Sequence, residues 1–128
     1  MILDSSAVVA IVMQEPGWEV LLKKLAAADQ VGIGTPTLTE TAIVLSARLS
    51  RDARGLLARI LDEGSIATVP FGDAHFGAAL DAWFDFGKGR HPAALNFGDC
   101  MAFATARLAR EPLLCSGDDF PKTDLDLA

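Results

Sequence analysis

The sequence predicts an α/β fold, a short parallel sheet of four or five strands flanked by helices. Three observations predict it. Short apolar runs alternate with longer segments of helical periodicity, the order that builds parallel strands joined through helices. The apolar fraction is 51% with only 7% aromatics, which suits an α or α/β protein. The run from Cys100 to Ala106 has one polar residue, Thr105, and describes a helix buried nearly all round. At 128 residues the chain, 1–128, reads as a single domain with a real hydrophobic core.

Met1-Ile2-Leu3 is the first strand. Asp4-Ser5-Ser6 turns the chain into an apolar helix from Ala7 to Met13, capped by Ser5 or Ser6. Pro16-Gly17 breaks that helix. Trp18 to Ala28 sets Val20, Leu21, Leu22 and Leu25 against Lys23 and Lys24, an amphipathic helix. Val31 to Gly34 is the second strand, and a helix from Thr37 to Leu49 carries Glu40 in its first turn. Ser50 restarts a helix whose inner face is Leu56, Leu57, Ile60 and Leu61, stopped by Gly64. Ile66 to Val69 is the third strand, closed by Pro70, and Asp73 caps a helix to about Phe86. The segment 87–92 is a loop of breakers and basic residues. The buried helix follows, with Asn96 as its cap, then a fourth strand at Leu113 to Cys115 and a turn at 116–121. A last short strand is expected at Asp124 to Leu127.

Composition excludes several classes. No apolar run reaches the ~18 residues of a membrane span, and Met1-Ile2-Leu3-Asp4 has no basic leader, so no membrane role and a cytoplasmic location are expected. Cys100 and Cys115 lie in apolar segments without metal-ligand spacing, the setting of reduced thiols. A net charge of −6 argues against binding nucleic acid by bulk electrostatics. Such binding would need local basic patches, which Lys88, Arg90 and His91, or Arg48, Arg51 and Arg54, could supply, or a divalent cation. His91 before Pro92 reads as a loop residue rather than a general base.

In a parallel sheet, functional groups collect outside the carboxyl ends of the strands. Asp4 follows strand one, Glu40 comes just after strand two, Asp99 opens the buried helix and Asp118 follows the last strand. Each has an ordinary structural role open to it. Asp4 and Asp118 can be turn residues, Glu40 has capping-box spacing from Thr37, and Asp99 has it from Asn96. Gathered at one edge, however, four carboxylates repel one another unless they take up protons or share a cation. Oxygen ligands without His or Cys select a hard ion, Mg²⁺ or Mn²⁺. Such an ion activates water and neutralises charge at phosphorus, so metal-assisted phosphodiester hydrolysis is the chemistry expected.

Four segments of the chain resemble the PIN-domain ribonucleases of the VapC type, the toxins of bacterial toxin–antitoxin pairs. They are Ile2-Leu3-Asp4-Ser5-Ser6-Ala7, Glu40 within Thr37-Leu38-Thr39-Glu40, the run His91 to Cys100, and Gly117-Asp118-Asp119-Phe120 followed by Thr123-Asp124. The resemblance implies a PIN-like three-layer sandwich with Asp4, Glu40, Asp99 and Asp118 as catalytic and metal-binding acids. It makes Asp4 and Asp99 the surest ligands, with Ser6 and Asn96 orienting carboxylates or water. Of the adjacent Asp118 and Asp119, Asp118 is taken as the ligand, since Asp119-Phe120 reads as the structural half of the turn. The implied activity is endonucleolytic cleavage of RNA, with tRNA or ribosomal RNA as target. The implied partners are a VapB-type antitoxin, which can push a basic side chain into the acidic pocket, and a second copy of the chain in a homodimer.

Three rival readings can be compared with the sequence. Haloacid-dehalogenase phosphatases place a second Asp where this chain has Ser6, and response-regulator receivers need paired acids where Ser5 stands. A catalytically silent PIN-like binding module is the alternative of a different class.

Overall fold

The computed structural model describes residues 1–128. In chain order it contains β1 (Ile2–Leu3), α1 (Ser5–Met13), α2 (Trp18–Ala27), β2 (Val31–Gly34), α3 (Thr35–Leu49), α4 (Arg54–Glu63), β3 (Ile66–Val69), α5 (Asp73–Phe86), α6 (Phe97–Ala109) and β4 (Leu113–Leu114), followed by a 3-10 turn at Phe120–Lys122. All strand pairs are parallel, in the order β3-β2-β1-β4. The predicted α/β architecture is therefore the observed one.

The chain steps outward from β1 to β3, then returns across the sheet to place β4 on the other side of β1. Right-handed crossovers running in opposite directions put their helices on opposite faces, which is why there are three layers. Side-chain alternation feeds both. Leu3 and Leu114 join one core with Val8, Ile33, Leu45 and Leu57, while Ile2 and Leu113 join the other with Leu95, Phe103 and Phe120. The reversal between β1 and β4 opens a crevice at their carboxyl ends, the place where ligands bind in such sheets.

Helix α6 lies close against the sheet. A Cβ on Gly34 would stand 2.6 Å from Thr105 Oγ1, so the missing side chain at Gly34 is what admits the helix. Cys100, Ala102, Phe103, Ala104, Thr105 and Ala106 are buried, as the apolar run predicts, and Thr105 returns its hydroxyl to the Met101 carbonyl at 2.9 Å.

Several boundaries differ from expectation. Asp4, not Ser5 or Ser6, caps α1, accepting from the Ser6 amide at 3.0 Å, because its carboxylate outcompetes a hydroxyl for the free amides of the first turn. Helix α3 starts two residues early, at Thr35, since Pro36 is tolerated in a first turn, and Glu40 falls in the second turn. Ser50 ends α3 in the left-handed region (φ 52°) instead of starting α4. Gly72 precedes α5, its amide donating to His75 Nδ1, and Asp73 is the first helical residue. The expected last strand is a single parallel bridge, Leu113 to Leu127. No helix is long and apolar enough to cross a membrane.

Candidate active site

The β1–β4 crevice gathers acids from four separate elements. Asp4, 3% exposed, sits at the end of β1, with its amide bonded to the Leu114 carbonyl of β4 at 2.9 Å. Its Oδ2 accepts from the Ser6 amide and from Ser6 Oγ at 2.5 Å. Ser6 Oγ in turn accepts from the Ser116 amide at 3.0 Å, tying the ends of β1 and β4 together. Asp4 Oδ1 is buried and has no partner. Burial, and then the charge of Glu40, push the Asp4 carboxyl above its ordinary range, against the two Ser6 hydrogen bonds.

Asp99 stands in the first turn of α6. There it exchanges hydrogen bonds with Asn96: the Asp99 amide donates to Asn96 Oδ1 at 2.9 Å, and Asp99 Oδ2 accepts from the Asn96 amide at 3.0 Å. The capping-box role open to Asp99 in the sequence is thus real, and it takes only one of the two oxygens. Capping alone would hold a carboxyl below its usual range. Here desolvation outweighs it, and with the charges of Asp4, Asp119 and Glu40 raises Asp99 to about 6.

Glu40 reaches the cluster from α3. Thr37, its expected capping partner, has a buried hydroxyl with no hydrogen bond, and Glu40 Oε1 instead accepts from Ser5 Oγ. The Glu40 carboxylate lies against α6 so closely that a Cβ on Gly98 would come within 1.8 Å of Oε2. In the turn after β4, Asp119 is the acid whose charge acts on Asp99, and Asp118 is not among the groups that shift it. The charge of Asp119 thus reaches Asp99, which keeps it beside the expected Asp118 as a candidate from this turn. Gly117, at φ 95°, turns the chain, and Asp119 then leads into the 3-10 turn.

As the side chains stand, no three acids, histidines or cysteines close around one point as a finished ligand set. Asp99 is turned to the Asn96 amide and Glu40 to Ser5. The residues still fit a hard divalent cation. The donors are carboxylate oxygens, Asp4 Oδ1 is an orphaned buried acceptor, and two of the acids are pushed toward protonation, first by burial and then by the charge of their acidic neighbours. The thiols do not compete, since burial raises both and takes Cys115 to about 11.

The basic groups lie outside this centre. His91 Nδ1 accepts from the Ala93 amide at 3.0 Å and its ring packs edge-on to Phe86, a loop role as expected. Arg48 pairs with Glu15, and Arg54 with Asp52. Arg90 lies over the rings of Trp83 and Phe84, with Nε donating to the Phe84 carbonyl. Beside it runs a groove of about 660 Å³ lined by Phe71, Phe76, Leu80, Trp83, Phe97 and Met101, and reaching Asn96 at the mouth of the site. Sequence reasoning missed Ser5 and Gly98 as neighbours of the site, and of the pair Asp118 and Asp119 it chose Asp118. Ser5 and Asp119 adjoin residues it did choose, and only the folded contacts separate such neighbours.

The PIN domain family matches residues 1–125. The chain is 46% identical over 127 residues to ribonuclease VapC36 of Mycobacterium tuberculosis, covering 98% of this chain and 91% of the relative. It is 40% identical over 126 residues to ribonuclease VapC of Mycolicibacterium smegmatis, covering 98% and 97%. Among solved structures it is similar to Mycobacterium tuberculosis VapC20, described as a sarcin-ricin loop cleaving toxin (TM-score 0.79, 18% identity, 99% and 97% of the chains). It is also similar to VapBC2 from Rickettsia felis, solved bound to a DNA fragment from its promoter (TM-score 0.73, 15% identity, 99% and 96%).

Proposed function

The chain belongs to the PIN-domain family, among its VapC ribonucleases, and from that premise we propose that its acidic crevice is a Mg²⁺- or Mn²⁺-dependent centre for hydrolysing RNA phosphodiester bonds. The observation that carries the metal reading is the buried Asp4 carboxylate with Oδ1 unpartnered, beside an Asp99 that burial, and then the charges of Asp4, Asp119 and Glu40, raise to about 6. Asp4, Asp99 and Glu40 would hold the ion, with Asp119 contributing charge from the rim. Ser6 fixes one oxygen of Asp4 and leaves the other open, and Asn96 does the same for Asp99. When bound, the ion supplies a water of lowered pKa and positive charge beside the phosphoryl oxygen. Hydrolysis adds that water across one P–O bond, leaving one fragment with a terminal phosphate and the other with a hydroxyl.

The proposed substrate is a structured RNA, a tRNA or a ribosomal RNA. Supporting this is the likeness to a toxin described as cleaving the sarcin-ricin loop. A VapB-type antitoxin is the proposed partner. An apolar groove of about 280 Å³ between α1, α2 and α4, lined by Ile11, Val12, Leu22, Leu25 and Ile60, suits the apolar face of a helix. A net charge of −6 suits a basic partner that neutralises the crevice. A homodimer completes the proposal. On α5, Phe76, Leu80, Trp83 and Phe84 are exposed at helical spacing. Antiparallel pairing of α5 about a two-fold axis would also set Asp73 of one copy near Lys88 and Arg90 of the other.

The test is expression of the chain alone in a bacterium, with new 5′ ends mapped across total RNA, followed by cleavage with purified protein. One dominant cut is expected, abolished by chelator, restored by Mg²⁺ or Mn²⁺, and absent in Asp99→Asn. Equal cleavage by wild type and variant would mean a contaminating nuclease and favour the silent binding module.

A further inference from the structure

Glutamate 40 poses a positioning problem that the other acids do not. Asp4 is short and pinned by Ser6, and Asp99 is pinned by its exchange with Asn96. A glutamate has an extra rotatable bond, and Glu40 comes from the second turn of α3, a separate element from those carrying Asp4 and Asp99. Nothing on α3 itself fixes its carboxylate, since Thr37 makes no bond to it.

Two features of neighbouring elements do. The Ser5 hydroxyl donates to Glu40 Oε1. That hydroxyl is free to do so because Asp4 has taken over the capping of α1. On the other side, the carboxylate fills the volume that a side chain at position 98 would need: a Cβ there would lie 1.8 Å from Oε2, 2.8 Å from Cδ and 3.1 Å from Oε1. Gly98 is in the first turn of α6, immediately before Asp99. The bond from Ser5 and the vacancy at Gly98 therefore set Glu40 between the residue after Asp4 and the residue before Asp99.

We propose that Ser5 and Gly98 are positioning residues for Glu40: Ser5 holds the carboxylate by hydrogen bond, Gly98 makes room for it, and together they preorganise the acidic crevice for a divalent cation. This rests on the metal-dependent reading above. Groups that orient a ligand without touching the ion are worth about 10–100-fold in metal affinity. Ser5 therefore belongs to the metal-binding apparatus even though a hydroxyl one residue from Asp4 reads in sequence as a helix cap.

The experiment measures Mn²⁺ binding directly, by electron paramagnetic resonance of the free ion and by calorimetry, on wild type, Ser5→Ala, Ser5→Thr, Gly98→Ala, Glu40→Gln and the Ser5→Ala/Glu40→Gln double variant. Melting in chelator is recorded for each. Ser5→Ala is expected to weaken Mn²⁺ about tenfold with an unchanged melting midpoint, because alanine is well suited to a helix start capped by Asp4. Ser5→Thr, which keeps the donor, restores affinity to within about threefold. Gly98→Ala displaces the carboxylate and weakens Mn²⁺ at least as much as Ser5→Ala. In the Glu40→Gln background, Ser5→Ala adds no further loss. Tight Mn²⁺ binding by wild type and Ser5→Ala alike, or a full additional loss in the double variant, would overturn the Ser5 assignment and leave the metal reading standing. Wild type that binds no Mn²⁺ at all would overturn both.

Discussion

Replacing Asp99 by asparagine should remove the activity and, without metal, make the protein more stable. Asp99 is raised from 3.8 to about 6, chiefly by desolvation and then by Asp4, Asp119 and Glu40. Because the folded carboxyl binds its proton more tightly than the unfolded one, the folded state is favoured below the unfolded pKa. That benefit is lost as pH rises through about 6. A shift of about two pKa units corresponds to about 3 kcal/mol at ~1.4 kcal/mol each, and the group's partial exposure to screening solvent reduces this to about 1.5 kcal/mol. Asparagine keeps an oxygen to accept from the Asn96 amide and carries no charge, so it avoids the cost. In chelator at pH 7.5, Asp99→Asn should melt about 5 °C above wild type, taking the unfolding entropy typical of this chain length. At pH 4 the two should converge. With Mn²⁺ at about a hundred times its dissociation constant, wild type gains about 2.7 kcal/mol by mass action and overtakes the variant, which does not. Paired scanning calorimetry at two pH values, with and without Mn²⁺, reads all of this. A variant no more stable than wild type at pH 7.5 in chelator would refute the claim that ionised Asp99 is held at a cost by burial and by its acidic neighbours.

The remaining predictions follow from single contacts. Mn²⁺ affinity should fall about tenfold per pH unit below pH 6, as Asp99 takes up the proton that competes with the ion, measured by calorimetry across pH 5 to 8. Asp119→Asn should lower the Asp99 pKa in an NMR titration and weaken Mn²⁺ severalfold, whereas Asp118→Asn should leave both within about twofold. Leu80→Glu, on the exposed stripe of α5, should convert a dimer to monomers in analytical ultracentrifugation while the melting point stays within a few degrees. Gly34→Ala should destabilise by about 1–3 kcal/mol in urea, because its Cβ would press on Thr105 Oγ1 at 2.6 Å and push α6 off β2.

The elements were legible because each is written in local chemistry. The run Cys100 to Ala106 reads as a helix buried nearly all round, and Val31 to Gly34 reads as a strand from its bounds. The errors fall where one residue can do two jobs. Ser5 has the chemistry of a cap and is instead a donor to Glu40, while Asp4 caps α1 through one oxygen and keeps the other unpartnered, so capping and a ligand's role are not exclusive. Asp118 and Asp119 are indistinguishable in one dimension. The turn at Gly117 separates them, and the charge that reaches Asp99 comes from Asp119.

By itself, then, the sequence determined the alternation of strands and helices, the aliphatic layers and the presence of acids after three strands and at the head of a buried helix. Those follow from periodicity and from short-range preferences that do not depend on distant contacts. Only the tertiary structure decided which oxygen of Asp4 is left without a donor, that Ser5 donates to Glu40, and that a missing side chain at Gly98 gives Glu40 its place. Each depends on distances between residues far apart in the chain, and such distances exist only once α1, α3, α6 and the end of β4 have packed around the same crevice.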